Sequence, residues 1–285
     1  MSGFAVGVVE GPSPQAFARD CAALRAGPVV HALPVAASAN LVANALLAVG
    51  ASPVMAQLAG EITSIHQRCA AVVLTLGTPD GERFHLLRTV LASAAARGLP
   101  VVLDPVGVGA SPLRLGLAHE LTAGSGMVVR GNRGELLALG GEAGASTPID
   151  DRTGGELPLW ELGLTALGAL AGRHVLLGTG LVDCLWSADR RHQGTRGHAL
   201  QARVTGMGCA LSALVAAFRA VNSDSFEAAL HALWLANSAA EVAAVRSGGP
   251  GTFVPGWLDA LAFLTENPEG AWGPILPEKG DPNGR

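Results

Sequence analysis

The chain has 285 residues, a formal net charge of −4, 49% apolar residues, 15% charged residues and 4% aromatic residues. That is enough apolar material for a sheet covered on both faces, and it leaves no basic footprint for nucleic acid and no aromatic stacking platform. Lys279 is the only lysine, which excludes a Walker-type phosphate loop and a buried Schiff-base lysine.

In chain order, residues 13–25 read as a short helix and residues 28–32 as a β-like run. Residues 39–49 carry a helical apolar pattern stopped by Gly50. Residues 51–55 read as a loop and 57–68 as a second helix. Residues 70–76 form a continuous apolar run ending at Gly77, the pattern of a strand buried on both faces. A helix over 82–97, a buried strand over 99–103, a helix over 112–123 and a strand over 127–130 follow. Asn132 caps a short helix over 133–139, with Glu135 at capping-box spacing. Residues 140–156 read as a surface loop, 157–171 as a helix and 174–177 as a strand. Two strands over 182–187 and 197–204 are expected around an exposed turn at 189–195. Helices from Cys209, over 226–246 and over 253–266 complete the pattern, and residues 268–285 read as a loose tail. Alternating strands and helices, with no dividing linker and no repeat, point to one α/β domain over 1–285, a mainly parallel central sheet with helices on both faces.

The four cysteines, Cys21, Cys69, Cys184 and Cys209, form no C-x-x-C pair or metal knuckle. There is no basic n-region followed by an apolar run, and the longest apolar stretch, residues 209–218, is too short to span a bilayer. The expectation is a cytoplasmic protein with reduced thiols and no membrane partner.

Chemistry gathers at strand ends: Gly77-Thr78, Asp104, Arg130-Gly131-Asn132 and Thr179-Gly180. Open parallel sheets bind ligands outside the carboxyl ends of their strands. The stretch Val204-Thr205-Gly206-Met207-Gly208-Cys209 adds two glycines running into an apolar helix. Such a helix start points amides and partial positive charge at an anion. Cys209 in its first turn would gain thiolate character from the same field. Arg130 suits bidentate phosphate contact, and Asp104 and Glu135 are oxygen donors of the kind Mg²⁺ prefers. Each residue also has a bland reading: Met55 as core filling, Asn132 and Glu135 as a capping box, Asp104 as a turn former, and His31 as a hydrogen-bonded structural histidine.

The segments Pro28-Val29-Val30-His31, Ala43 to Ala56 with its Ala-Ser-Pro-Val-Met loop, Asp104-Pro105-Val106-Gly107, Arg130-Gly131-Asn132-Arg133-Gly134-Glu135 and Thr205-Gly206-Met207-Gly208-Cys209 resemble the successive signatures of the hydroxyethylthiazole kinases. They stand in the family's order over roughly residues 28–267. The resemblance implies a ribokinase-like fold and transfer of the γ-phosphate of ATP to the hydroxyl of 4-methyl-5-(2-hydroxyethyl)thiazole, a thiamine-salvage step. It implies a homotrimer with its active sites at subunit interfaces. Met55 and Gly206 would contact the thiazole alcohol. Arg130, Thr179 and Asn132 would contact ATP. Asp104 and Glu135 would sit near Mg²⁺ and its waters. Cys209 would face the reacting hydroxyl, with Gly206 and Gly208 lining the anion hole.

Three departures from the family pattern leave the kinase residues in place and bear on the substrate, above all the first, which lies beside the thiazole site in the family. Ala32-Leu33-Pro34-Val35 replaces a polar Asn-x-Thr-Asn segment, Leu181 replaces an acidic residue, and Pro79 replaces a leucine. The Ala32–Val35 departure opens one alternative, a kinase of a different small heteroaromatic alcohol; a ligand-binding homologue with little catalysis stands as another. A dinucleotide-dependent oxidoreductase is weaker, because no G-x-G-x-x-G follows the first strand.

Overall fold

A computed structural model describes residues 7–78, 80–141 and 158–272. In chain order the strands are β1 Gly7–Val8, β2 Val29–Leu33, β3 Ser52–Val54, β4 Ala71–Thr75, β5 Val101–Asp104, β6 Val128–Asn132, β7 Val175–Thr179, β8 Asp183–Trp186 and β9 Arg190–Gly194. The helices are α1 Pro14–Leu24, α2 Ala39–Ala48, α3 Ile62–Ile65, α4 Gly81–Ala96, α5 Pro112–Leu121, α6 Arg133–Leu139, α7 Thr165–Ala171, α8 Met207–Val221, α9 Ser225–Arg246 and α10 Pro250–Glu266. The strands form one nine-stranded sheet in the order β1-β9-β8-β7-β6-β5-β4-β2-β3. Pairing is parallel except for β8, which runs antiparallel to β7 and β9.

The apolar strand runs are buried on both faces, as their composition requires. Alternate side chains serve opposite layers. Val102, Val128 and Leu177 face the layer of α1, α2, α8, α9 and α10. Leu103, Val129 and Leu176 face the layer built from α4, α5, α6 and α7. The same alternation places Asp104, two residues past Val102, and Arg130, two past Val128, on the α8 side of the sheet.

Several expected elements shift. Residues 52–54 are not loop: they extend the sheet as its edge strand, pairing with β2 in register Val30↔Pro53. The helix expected over 57–68 shortens to a 3₁₀ turn, Ala59–Glu61, and the single turn of α3. The expected turn at 189–195 is largely strand β9, while the expected strand over 197–204 contains a 3₁₀ helix, Ala199–Arg203. Arg190 and His192 place polar groups on a partly exposed strand, so a search for apolar alternation passes over it. The helix expected over 157–171 resolves into the 3₁₀ turn Leu159–Leu162 and α7. The loop expected at 140–156 lies outside the described residues from 142 onward. So does the expected tail from 273, while Pro268–Ala271 is a 3₁₀ turn packed on the core. Among the described residues one helix, Ser225–Arg246, is long and apolar enough to cross a membrane. Its apolar window is 72% buried inside the fold, which is the situation of a core helix.

His31 and His66 fix the loop beyond β3. His31 Nε2 lies 2.9 Å from the Ala56 carbonyl and His31 Nδ1 2.9 Å from His66 Nε2. A carbonyl only accepts, so His31 Nε2 carries its proton and Nδ1 accepts from His66. Burial, then the neighbouring His31 and Arg97, lowers His66 to about 4. The unfolded chain therefore binds this proton first, and stability is lost as pH falls from about 6.5 toward 4. A His66→Ala variant should lose less stability than the parent across that window in urea titrations at successive pH values. Equal losses would contradict this assignment.

Candidate functional site

Three neighbouring strands end on functional side chains. Asp104 is the last residue of β5, Asn132 of β6 and Thr179 of β7, with Asn132 and Thr179 in register. Over this rim lies the start of α8. Its N-cap, Gly206, has φ 91 and makes no side-chain cap. Only glycine adopts this left-handed conformation without strain. The first intrahelical bond runs from Ala210 N to Gly206 O at 2.8 Å. The amides of Met207, Gly208 and Cys209 thus have no carbonyl one turn back and face the rim.

Arg130 spans the space between sheet and helix. Its Nη2 donates to Thr179 Oγ1 at 2.5 Å, its Nη1 lies 3.9 Å from Asp104 Oδ1, and its buried Nε has no hydrogen-bond partner among the described residues. A Cβ at Gly208 would overlap Arg130 Nη1 and crowd its Cζ at 2.8 Å. A side chain at this position would have to displace the guanidinium.

Asp104 is fully buried, and neither carboxylate oxygen accepts a hydrogen bond among the described residues. Burial raises its affinity for a proton, opposed chiefly by the charge of Arg130. The Ser212 hydroxyl is turned toward Gly208 O at 3.2 Å. Glu135 closes the capping box of α6: its Oε2 accepts from Asn132 N at 2.9 Å, and Asn132 Oδ1 accepts from Glu135 N at 2.8 Å. Its Oε1 accepts from Gly107 N at 2.9 Å. Burial, then the Asp104 charge, pushes Glu135 up to about 7, against Arg130 and these two amides. The capping-box and functional readings of Asn132 and Glu135 are therefore compatible.

One expectation reverses. Cys209 sits in the first turn of α8, but its thiol is pushed far up, first by burial and then by the charge of Asp104. Ser38 and Arg130 oppose this without overcoming it. Cys209 is a neutral thiol beside a carboxylate, not a helix-terminus thiolate. Sequence spacing places the helix dipole beside Cys209 but does not reveal Asp104 there.

Asp104, Arg130, Thr179, Gly206, Gly208 and Cys209 thus come together, with Asn132 and Glu135 on the adjoining α6 turn. Met55 stands apart from this cluster, just beyond edge strand β3, half-buried against the α2–α8 core layer. Around Ala32–Val35, Arg83 donates to the carbonyls of Leu33 (3.0 Å), Thr75 (2.5 Å) and Leu76 (3.1 Å). The Val35 side chain fills the space beside Gly77. Arg83, Ser38 and Ser212 carry no motif, and only folding brings them to the rim.

The hydroxyethylthiazole kinase family model matches residues 22–267. A hydroxyethylthiazole kinase from Nitratidesulfovibrio vulgaris is 38% identical over 245 residues, covering 85% of this chain and 90% of that protein. One from Granulibacter bethesdensis is 38% identical over 237 residues, covering 83% and 85%. The chain belongs to the hydroxyethylthiazole kinase family. The solved hydroxyethylthiazole kinase from Pyrococcus horikoshii OT3 superposes with a TM-score of 0.77 at 33% identity, covering 89% of this chain and 95% of that one. A ribokinase-like superfamily protein from Enterococcus faecalis V583 shares the fold, with a TM-score of 0.63 at 14% identity over 94% of this chain and 98% of that one. The ribokinase-like architecture is thereby established, and the family is one of ATP-dependent kinases.

Gly208→Ala should displace Arg130 and weaken ADP binding about tenfold or more by calorimetry, the order expected for loss of a charge-assisted contact. Unchanged ADP affinity would mean that Arg130 does not meet the nucleotide.

Proposed function

We propose that the chain transfers the γ-phosphate of ATP to the hydroxyl of 4-methyl-5-(2-hydroxyethyl)thiazole within a single domain. The observation that carries the reading is the uncapped start of α8 set over Arg130 and the unpartnered carboxylate of Asp104. Phosphoryl transfer passes through a loose transition state, so placing charges matters more than strong base catalysis. The amides from Gly206 to Cys209 receive charge on the transferring group, and Arg130, oriented by Thr179, contacts the nucleotide phosphates. Asn132 shapes the nucleotide side as the cap of α6.

Mg²⁺ fits the donor set. Asp104 has two unpartnered oxygens, and Glu135 is buried alongside it. No cluster of three or more His, Cys, Asp or Glu occurs among the described residues, which suits a cation that keeps its waters and binds through one or two carboxylates and phosphates. Asp104 and Glu135 would hold it, Glu135 through one of the waters that Mg²⁺ keeps. When bound, it neutralises developing phosphate charge.

Cys209 acts by orienting the reacting hydroxyl, not as a thiolate base, because its thiol stays protonated beside Asp104. Met55 contributes to the thiazole pocket. Its position beyond an edge strand, with exposed Leu58 close by in sequence, supports a homotrimer that completes the pocket between subunits. Four unpaired cysteines are in keeping with a cytoplasmic setting.

A second reading keeps the chemistry and changes the alcohol. Pro34 and Val35 present an apolar wall where a polar segment is usual, which favours a less hydrogen-bonding heteroaromatic alcohol. A coupled ADP-release assay across thiazole, pyrimidine and related alcohols separates the two. Saturating thiazole alcohol without ADP release would sink the thiazole assignment. Release with none of the alcohols, alongside ligand-dependent thermal stabilisation, would indicate a binding homologue.

With the preferred alcohol, Cys209→Ala should lower kcat by about 10²-fold, the order expected when a reacting group is no longer oriented. Arg130→Ala should raise KM for ATP at least about tenfold. A Cys209→Ala enzyme with parental kcat would remove Cys209 from the chemistry.

A further inference from the structure

Asp183, the first residue of β8, is a buried carboxylate with no part in the reading above. Burial raises it to about 6, against the Gly180 amide, Asn237 and Arg130. It begins a chain of hydrogen bonds across three elements. Gly180 N donates to Asp183 Oδ1 at 3.0 Å, and Asn237 Nδ2 on α9 donates to Asp183 Oδ2 at 2.8 Å. Gln201 Nε2, in the 3₁₀ turn Ala199–Arg203, donates to Asn237 Oδ1 at 3.3 Å. His198 N donates to Gln201 Oε1 at 2.9 Å.

Both ends of this chain are backbone N–H groups, and neither can reverse. An amide side chain accepts at one end and donates at the other, so it passes the direction along unchanged. Three amides between two fixed donors would leave a donor facing a donor. One acceptor-only group resolves the conflict, and an ionised carboxylate is such a group. The donor–acceptor order therefore requires one carboxylate among positions 183, 237 and 201, and this chain has it at Asp183.

The ends of the chain are functionally placed. Gly180 follows Thr179, which holds Arg130. The segment from His198 leads into Thr205 and the Gly206 cap of α8. A second anchor ties this segment to α9, where Glu241 Oε1 accepts from Gly197 N at 2.9 Å and Arg196 Nη2 donates to Glu241 Oε2 at 2.6 Å. A Cβ at Gly197 would lie 2.6 Å from Gln201 Oε1 and 2.9 Å from Asn237 Oδ1, so the segment sits directly on the brace.

We propose that Asp183 is a positioning residue: with Asn237 and Gln201 it forms a directional brace that locks the Thr179–Gly180 nucleotide turn to the segment delivering the Gly206–Cys209 amides. The proposal rests on the roles given above to Thr179 and Gly206. It differs from a requirement for buried charge at position 183, because the carboxylate can move along the brace without breaking its order.

Four full-length variants test it: Asp183→Asn, Asn237→Asp, the double Asp183→Asn/Asn237→Asp and the double Asp183→Asn/Gln201→Glu. KM for ATP, kcat and ADP affinity are measured for each, together with Tm. Asp183→Asn should raise KM for ATP and lower kcat, each by about tenfold, as expected when a buried donor loses its acceptor. Asn237→Asp alone should also impair the enzyme, by setting two carboxylates together. Both doubles restore every hydrogen bond and should return to within about threefold of the parent. Parental kinetics for Asp183→Asn, or doubles no better than it, would overturn the proposal. If Asp183→Asn fails to fold, folded and active doubles support the brace, and unfolded doubles overturn it. If the parent releases no ADP with the thiazole alcohol, the function reading fails by itself, and ADP affinities across the same variants still decide the brace.

Discussion

Asp104 and Arg130 are opposite charges buried side by side beneath the start of α8, 3.9 Å apart. That separation exceeds a hydrogen bond, so neither group satisfies the other. Burying such a pair costs free energy that its mutual attraction only partly returns. The surrounding structure keeps it in place: Thr179 takes one guanidinium nitrogen, Gly208 leaves room for another, and the Glu135 capping box shapes the floor beside them. Within the described residues the Arg130 Nε and both Asp104 oxygens have no hydrogen-bond partner. The fold thus holds charge ready for a ligand instead of neutralising it internally.

The raised thiol of Cys209 follows from the same arrangement. A helix terminus alone would favour the thiolate. Here burial reverses that preference, and the neighbouring carboxylate adds to it, because a second negative charge would repel the first. Arg83 donates to the carbonyls of Leu33, Thr75 and Leu76, pinning the ends of β2 and β4.

Much of the fold was legible because buried parallel strands are written as apolar runs: residues 71–75 and 101–104 needed no other signal. The strand-end residues Asp104, Arg130, Asn132 and Thr179 were legible as a rim because a parallel sheet puts its strand termini on one side. What could not be read was lateral. Nothing in the sequence around Cys209 reveals that Asp104 stands next to it, so the direction of the thiol's shift was inaccessible. Strand β9 was missed because an outer strand paired on polar faces lacks apolar alternation. Asp183 escaped notice for a related reason: its partner Asn237 lies 54 positions away and Gln201, which bonds Asn237, 36 from that, and three polar residues at such spacing form no motif.

Helix α8 is buried from Met207 to Phe218 except at Gly208. A rod enclosed this way cannot slide or turn about its axis without opening voids along its length, and close-packed interiors resist such voids. Its leading amides are therefore held at a fixed height over the sheet by apolar contacts as far down the rod as Phe218. The placement of the helix's first turn is thus set by the fit of hydrocarbon at its far end, and a change of side-chain volume near Phe218 is carried along the rod to Gly206.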